Sequence, residues 1–92
     1  MPKYKVFIAN DVDKNISKID KRDRILIEKK IKEKMLPQLV AEPHFGLNIK
    51  KLRNWNPESW RYRIGNYRLF YTVEENSMTV NIYAIDHRKD SY

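Results

Sequence analysis

Residues 60–71, Trp60-Arg61-Tyr62-Arg63-Ile64-Gly65-Asn66-Tyr67-Arg68-Leu69-Phe70-Tyr71, decide how this chain folds. Two alternating runs flank a Gly-Asn pair, the pattern of an antiparallel hairpin with a two-residue turn. With Gly65 and Asn66 in the turn, Ile64 faces Tyr67, Arg63 faces Arg68, Tyr62 faces Leu69, Arg61 faces Phe70 and Trp60 faces Tyr71. Opposed residues share a face. One face is then Trp60, Tyr62, Ile64, Tyr67, Leu69 and Tyr71, a core surface. The other carries Arg61, Arg63, Arg68 and Phe70. Like charges directly opposed work against a ladder by roughly the 0.2–1 kcal/mol that an opposite pair would contribute. The Arg63–Arg68 pair therefore asks for a compensating anion.

Outward from the hairpin, Glu74-Glu75-Asn76-Ser77 marks a second turn, and Met78–Asp86 is rich in β-branched residues. The expected register sets Leu69 against Ile82, Tyr71 against Val80 and Arg68 against Tyr83. It puts Val80, Ile82 and Ala84 on the core face, with Tyr83, Ile85 and His87 beside Arg68. Upstream, Ile49–Arg53 reads as a further strand, and Asn54-Trp55-Asn56-Pro57-Glu58 as the loop leading into the hairpin. At the N-terminus, Lys3–Ala9 alternates with Tyr4, Val6 and Ile8 on one side, the pattern of a first strand. Asn10-Asp11 offers a cap for a short helix carrying Val12, Ile16 and Ile19. A second helix begins at Asp20, with Ile27, Ile31 and Met35 as its apolar stripe, supported by Leu26 and Leu36. Pro37 is expected to end or kink it, leaving Leu39–Asn48 irregular. The order is strand, two-helix hairpin, then three to four antiparallel strands with the helices on one face: an α+β fold, read as one domain over residues 1–92.

Ninety-two residues with two Trp, six Tyr and three Phe are enough for one small core. Cysteine is absent, which excludes disulfides and thiolate chemistry. No acidic pair stands at ligand spacing, so neither a metal nor a cofactor is expected. No run has signal-peptide or membrane-span length, and a cytoplasmic location with no membrane partner is expected. The formal charge is +7, a balance that favours polyanionic partners. That charge is uneven: residues 48–72 hold Lys50, Lys51, Arg53, Arg61, Arg63 and Arg68 against the single acid Glu58. The open sheet face thus collects guanidinium groups, which suit phosphate, with Phe70 and Tyr83, which can stack on unpaired bases. His87 is the leading candidate for proton transfer, because an imidazole titrates near neutrality. Tyr92 stands second and Glu58 a distant third, while His44, in a Pro-containing loop, reads as structural.

The hairpin run, followed by Ala84-Ile85-Asp86-His87-Arg88-Lys89-Asp90-Ser91-Tyr92, resembles the RelE/ParE superfamily of toxin–antitoxin toxins, most closely its RelE branch. The strand and two helices before it fit the same pattern, so the resemblance spans essentially the whole chain. It implies a metal-free endoribonuclease that cuts messenger RNA on the ribosome and is neutralised by a cognate antitoxin. Carried over by position, Arg61, Arg63, Arg68 and Arg88 would hold phosphate, His87 or Tyr92 would move protons, and Lys50, Lys51, Arg53 and Tyr83 would contact RNA or ribosome. RelE relatives often place lysine where Arg61 or Arg63 stands. Arginine cannot serve as a base, so that departure leaves the general base open. The resemblance also allows two other readings: a ParE-like topoisomerase inhibitor, and an RNA-binding relative without catalysis.

Overall fold

A computed structural model describes residues 3–87. Strand β1 (Lys5–Ile8) leads into α1 (Asn10–Ser17) and α2 (Lys21–Lys30), followed by a single π-helical turn (Ile31–Met35) and α3 (Leu36–Ala41). Strands β2 (Ile49–Lys51), β3 (Trp60–Ile64), β4 (Tyr67–Glu74) and β5 (Thr79–His87) complete the chain. The sheet order is β1-β5-β4-β3-β2: β2 to β5 form the expected antiparallel series, and β1 joins β5 in parallel.

The helices arise from spacing more than from caps. On α1, Val12 and Ile16 lie one turn apart and are buried. The expected Asn10-Asp11 cap is not used; Ala9 occupies the cap position without a side-chain bond, and Asp11 and Asp13 sit in the first turn, where the helix dipole favours acids. In the second helical segment Ile27, Ile31, Met35 and Leu39 repeat every four residues, and all are buried. Leu26, expected to support that stripe, is half exposed. Pro37 does not end the helix, and Leu39 lies inside α3 rather than in an irregular stretch. Proline lacks an N–H and crowds the carbonyl four residues back, here that of Glu33. The π turn over Ile31–Met35 sits immediately upstream and takes up the misfit.

The hairpin register is the one read from the sequence, from Ile64↔Tyr67 through Trp60↔Tyr71. Gly65 has φ +58°, and Asn66 is not among the positive-φ residues. That combination fits a II′ type of turn, with glycine at the first central position. Trp60, Tyr62, Ile64, Tyr67, Leu69 and Tyr71 are buried against the helices. Two of their hydroxyls are satisfied inside: Tyr71 donates to the Pro43 carbonyl at 2.6 Å and Tyr62 to Gln38 Oε1 at 2.8 Å. Burial pushes the Tyr71 phenol well above its usual range.

The β4–β5 register differs from the expected one. Glu74 pairs with Thr79, Val73 with Val80 and Tyr71 with Ile82; then the ladder slips, and Phe70 pairs with Ala84, Leu69 with Ile85, Arg68 with Asp86 and Tyr67 with His87. The turn spans Glu75–Met78, one residue further along than Glu74–Ser77, and closes with Met78 at φ +49°, which moves the pairing by two residues. A bulge at Tyr83 adds one more. Val80 and Ile82 stay in the core as expected. Ile85, expected beside Arg68, packs on the core, and Ala84 lies opposite Phe70 on the other face.

Candidate nucleic-acid interface

The sheet face opposite the helices is built by parity from four strands. Lys50 on β2 lies opposite Arg61 on β3, Arg61 opposite Phe70 on β4, Arg63 opposite Arg68, and Arg68 opposite Asp86 on β5. Arg61, Arg63 and Arg68 thus share one face, as the hairpin required. Arg63 Nε donates to the Gly65 carbonyl at 3.2 Å, and Arg61 reaches the Asn48 carbonyl at 3.5 Å.

Arg68 is the most constrained of the three. Its Nη2 donates to Asp86 Oδ2 in a short ion pair, and its guanidinium lies 5.8 Å from the centre of the Phe70 ring. Its Nε is buried with no hydrogen-bond partner among the described residues. Part of the like-charge problem is therefore solved internally, because Asp86 supplies the anion that the Arg63–Arg68 pairing calls for. The face still carries Lys50, Arg61, Arg63 and Arg68 around that one carboxylate.

His87 is not in this cluster. Its ring stacks on Tyr67 at 4.2 Å and 10°, and Tyr67 is a core residue whose hydroxyl donates to Asp23 of α2 at 3.3 Å. The extra residue at the bulge turns His87 to the helix side of the sheet, away from the arginines. The Tyr67 phenol is raised, first by burial and then by the Asp23 charge. Tyr83 does face the arginine side, with its hydroxyl 2.8 Å from Ser59 Oγ. Lys51 lies opposite Trp60 and so on the other face; its Nζ sits 2.9 Å from Glu58 and 5.6 Å from the Trp60 ring centre. Glu58, the third proton-transfer candidate, is held in that pair. Arg53 is exposed in the loop after β2. Arg88 and Tyr92 lie outside the described residues.

One residue of this face was missed from sequence. Trp55, in the loop before β3, stacks on Phe70 with ring centres 5.2 Å apart and planes 20° apart. Phe70 is buried because of that cover, although it stands on the open side. The available signal was an isolated indole in a polar Asn-Trp-Asn-Pro loop one strand away from an outward phenylalanine.

A separate cluster of titratable groups lies at the end of the sheet. His44 Nδ1 is 2.6 Å from Glu42 Oε2 and its Nε2 is 2.5 Å from Glu75 Oε2, while Tyr4 donates to Glu75 Oε1 at 2.9 Å. Burial against Trp60 would by itself lower the imidazole pKa, but the two carboxylates outweigh it and raise it. Both carboxyls are lowered in turn, chiefly by their hydrogen bonds with His44. With both ring nitrogens engaged, His44 is a clamp, in keeping with the structural role read for it. No group of three or more His, Cys, Asp or Glu side chains suited to a metal occurs among the described residues.

The fold and site define a class: a small basic α+β protein, helices on one side of a five-stranded sheet and guanidinium groups with aromatic rings on the other. Residues 6–92 match the family model described as the ParE toxin of type II toxin–antitoxin systems. RelE4 of Methanocaldococcus jannaschii is 32% identical over 92 residues, covering 97% of this chain and 90% of that protein. The chain belongs to the RelE/ParE superfamily of type II toxin–antitoxin toxins. Solved structures share the fold. The RelBE2 toxin–antitoxin complex of Mycobacterium tuberculosis aligns with a TM-score of 0.69 at 22% identity, covering 94% of this chain and 99% of that one. The isolated RelE toxin of E. coli gives 0.67 at 22% identity over 94% and 85%. The RelB–RelE complex of Methanococcus jannaschii gives 0.64 at 24% identity over 94% of both.

Proposed function

We propose that this toxin is a ribosome-dependent messenger-RNA endonuclease, held inactive by a cognate antitoxin. The observation that carries the proposal is the placement of Arg61, Arg63 and Arg68 together on an exposed sheet face, two of them directly opposed. In the reaction, the RNA 2′-oxygen attacks the adjacent phosphorus and the P–O5′ bond breaks. A 2′,3′-cyclic phosphate and a 5′-hydroxyl result, so one proton leaves the 2′-hydroxyl and one reaches the 5′-oxygen. Guanidinium groups aimed at the non-bridging oxygens stabilise the charge that peaks in the transition state. Proton transfer is assigned to the chain end, with Tyr92 ahead of His87, because the His87 ring would have to leave Tyr67 to reach the arginines. Arg88 adds a further cation at that end. Lys50 and Tyr83 extend the RNA surface.

The antitoxin proposal rests on the relatives solved as RelB–RelE complexes. An acidic partner segment masking the arginine face would block RNA access. The direct test is a translating extract supplied with purified protein and analysed for codon-positioned cuts. Cutting by the parent and its loss in a folded Arg63→Ala variant is the expected result; unchanged cutting in that variant removes the site assignment. The match to a ParE family model favours inhibition of a topoisomerase as the second reading. Blocked supercoiling with no RNA cutting would select it.

A further inference from the structure

We infer that Trp55 is a docking platform for one unpaired nucleobase, placed beside the arginines so that stacking fixes the position of the RNA on the sheet. The inference deepens the proposed RNA substrate but does not need cleavage. Three observations carry it. The indole is stacked on Phe70, which covers one of its faces, yet Trp55 remains 46% exposed. Phe70 is also in contact with Arg68 and lies opposite Arg61, so the stack is anchored to the proposed phosphate-binding groups. Beside the indole, Lys51, Leu52, Arg53, Asn54, Trp55 and Glu58 line an open depression of about 600 Å³. Lys51 is engaged there by Glu58, whereas Arg53 has no ion pair among the described residues.

Covering Phe70 requires only an apolar side chain. An indole held nearly parallel to the ring beneath it adds a second, outward π face, and every base can stack on such a face whatever its sequence. Asn54, in the left-handed region at φ +59°, turns the chain so that Trp55 lies over the sheet. Arg53 lies on the same side of the loop as the depression, where a backbone phosphate flanking the stacked base would sit.

The test uses the whole protein with a short labelled single-stranded RNA and an abasic strand of the same length. Trp60 is only 5% exposed, so quenching of tryptophan fluorescence by added RNA reports Trp55. The base-bearing strand should quench the parent protein. Trp55→Ala and Trp55→Leu should lose about tenfold or more in affinity for that strand. Trp55→Phe should recover most of it, and the abasic strand should bind all four proteins alike. Trp55→Leu is the deciding variant, since it keeps an apolar cover over Phe70 but offers no π face. Parent-like RNA binding by Trp55→Leu, or an equal loss on the abasic strand, overturns the inference and leaves Trp55 as packing or as a protein contact. The two readings fail separately. RNA that stacks but is never cut removes the nuclease and spares the platform; cutting that ignores Trp55 does the reverse.

Discussion

Arg68 shows how one side chain is held in place by three unlike contacts: a carboxylate, an aromatic face and a buried environment around Nε. Its pair with Asp86 is partly exposed, at 31% and 49% for the two side chains, and such pairs contribute little to stability. Removing Asp86 should therefore act on binding more than on folding. Asp86→Ala is expected to shift unfolding free energy by no more than about 1 kcal/mol in urea titrations. Affinity for single-stranded RNA should rise, because an internal competitor for the guanidinium is gone. Weaker RNA binding in this variant would instead give Asp86 a positioning role for Arg68. At this scale the sequence was informative about which residues oppose each other across the Gly65-Asn66 turn. It said nothing of Asp86 as the partner of Arg68, because that contact depends on a bulge.

Among the elements, alternation predicted β3 and β4 well because a two-residue turn leaves their register no freedom. It failed for β5, where Tyr83 is inserted and inverts the parity of everything after it. Ile85 is the apolar residue whose burial favours that inversion, and His87 is carried with it to the helix side. Likewise Pro37 suggested an end to the helix, but the buried Met35 and Leu39 on either side keep one stripe in the core and a π turn accommodates the ring. The His44 clamp belongs at this scale too, since it ties the loop after α3 to the β4–β5 turn and, through Tyr4, to β1. Its imidazole pKa is raised in the fold, so its contribution is complete below the usual 6.5 and is lost as pH rises through the raised value. Glu42 and Glu75 are lowered, so theirs is complete above the usual 4.5 and is lost as pH falls through the lowered values. Stability from this cluster should thus be greatest between those limits. Urea midpoints of the parent relative to His44→Gln, followed across pH, should show a difference that shrinks on the alkaline side. A difference independent of pH would remove the clamp.

For the molecule as a whole, the formal charge is +7, and Lys50, Arg61, Arg63 and Arg68 share the side of the sheet that the helices leave bare. RNA affinity should therefore fall steeply with salt. For single strands, each neutralised phosphate contributes a slope of about 0.7 in log affinity against log salt. Arg63→Ala is expected to lower the slope by about that amount and to weaken binding to all sequences alike. An unchanged slope would place the RNA elsewhere. The α+β order was readable from the sequence because hydrophobic spacing marks each element locally. The parallel union of β1 with β5 was not, since it joins the two ends of the chain.

That union has a consequence for how the toxin is made. Strand β5 lies between β1 and β4, so β1 stays apart from the β2–β4 series until β5 has been synthesised. Until then the guanidinium groups of β3 and β4 lack the Asp86 carboxylate, so the Arg68–Asp86 pair can form only when β5 docks.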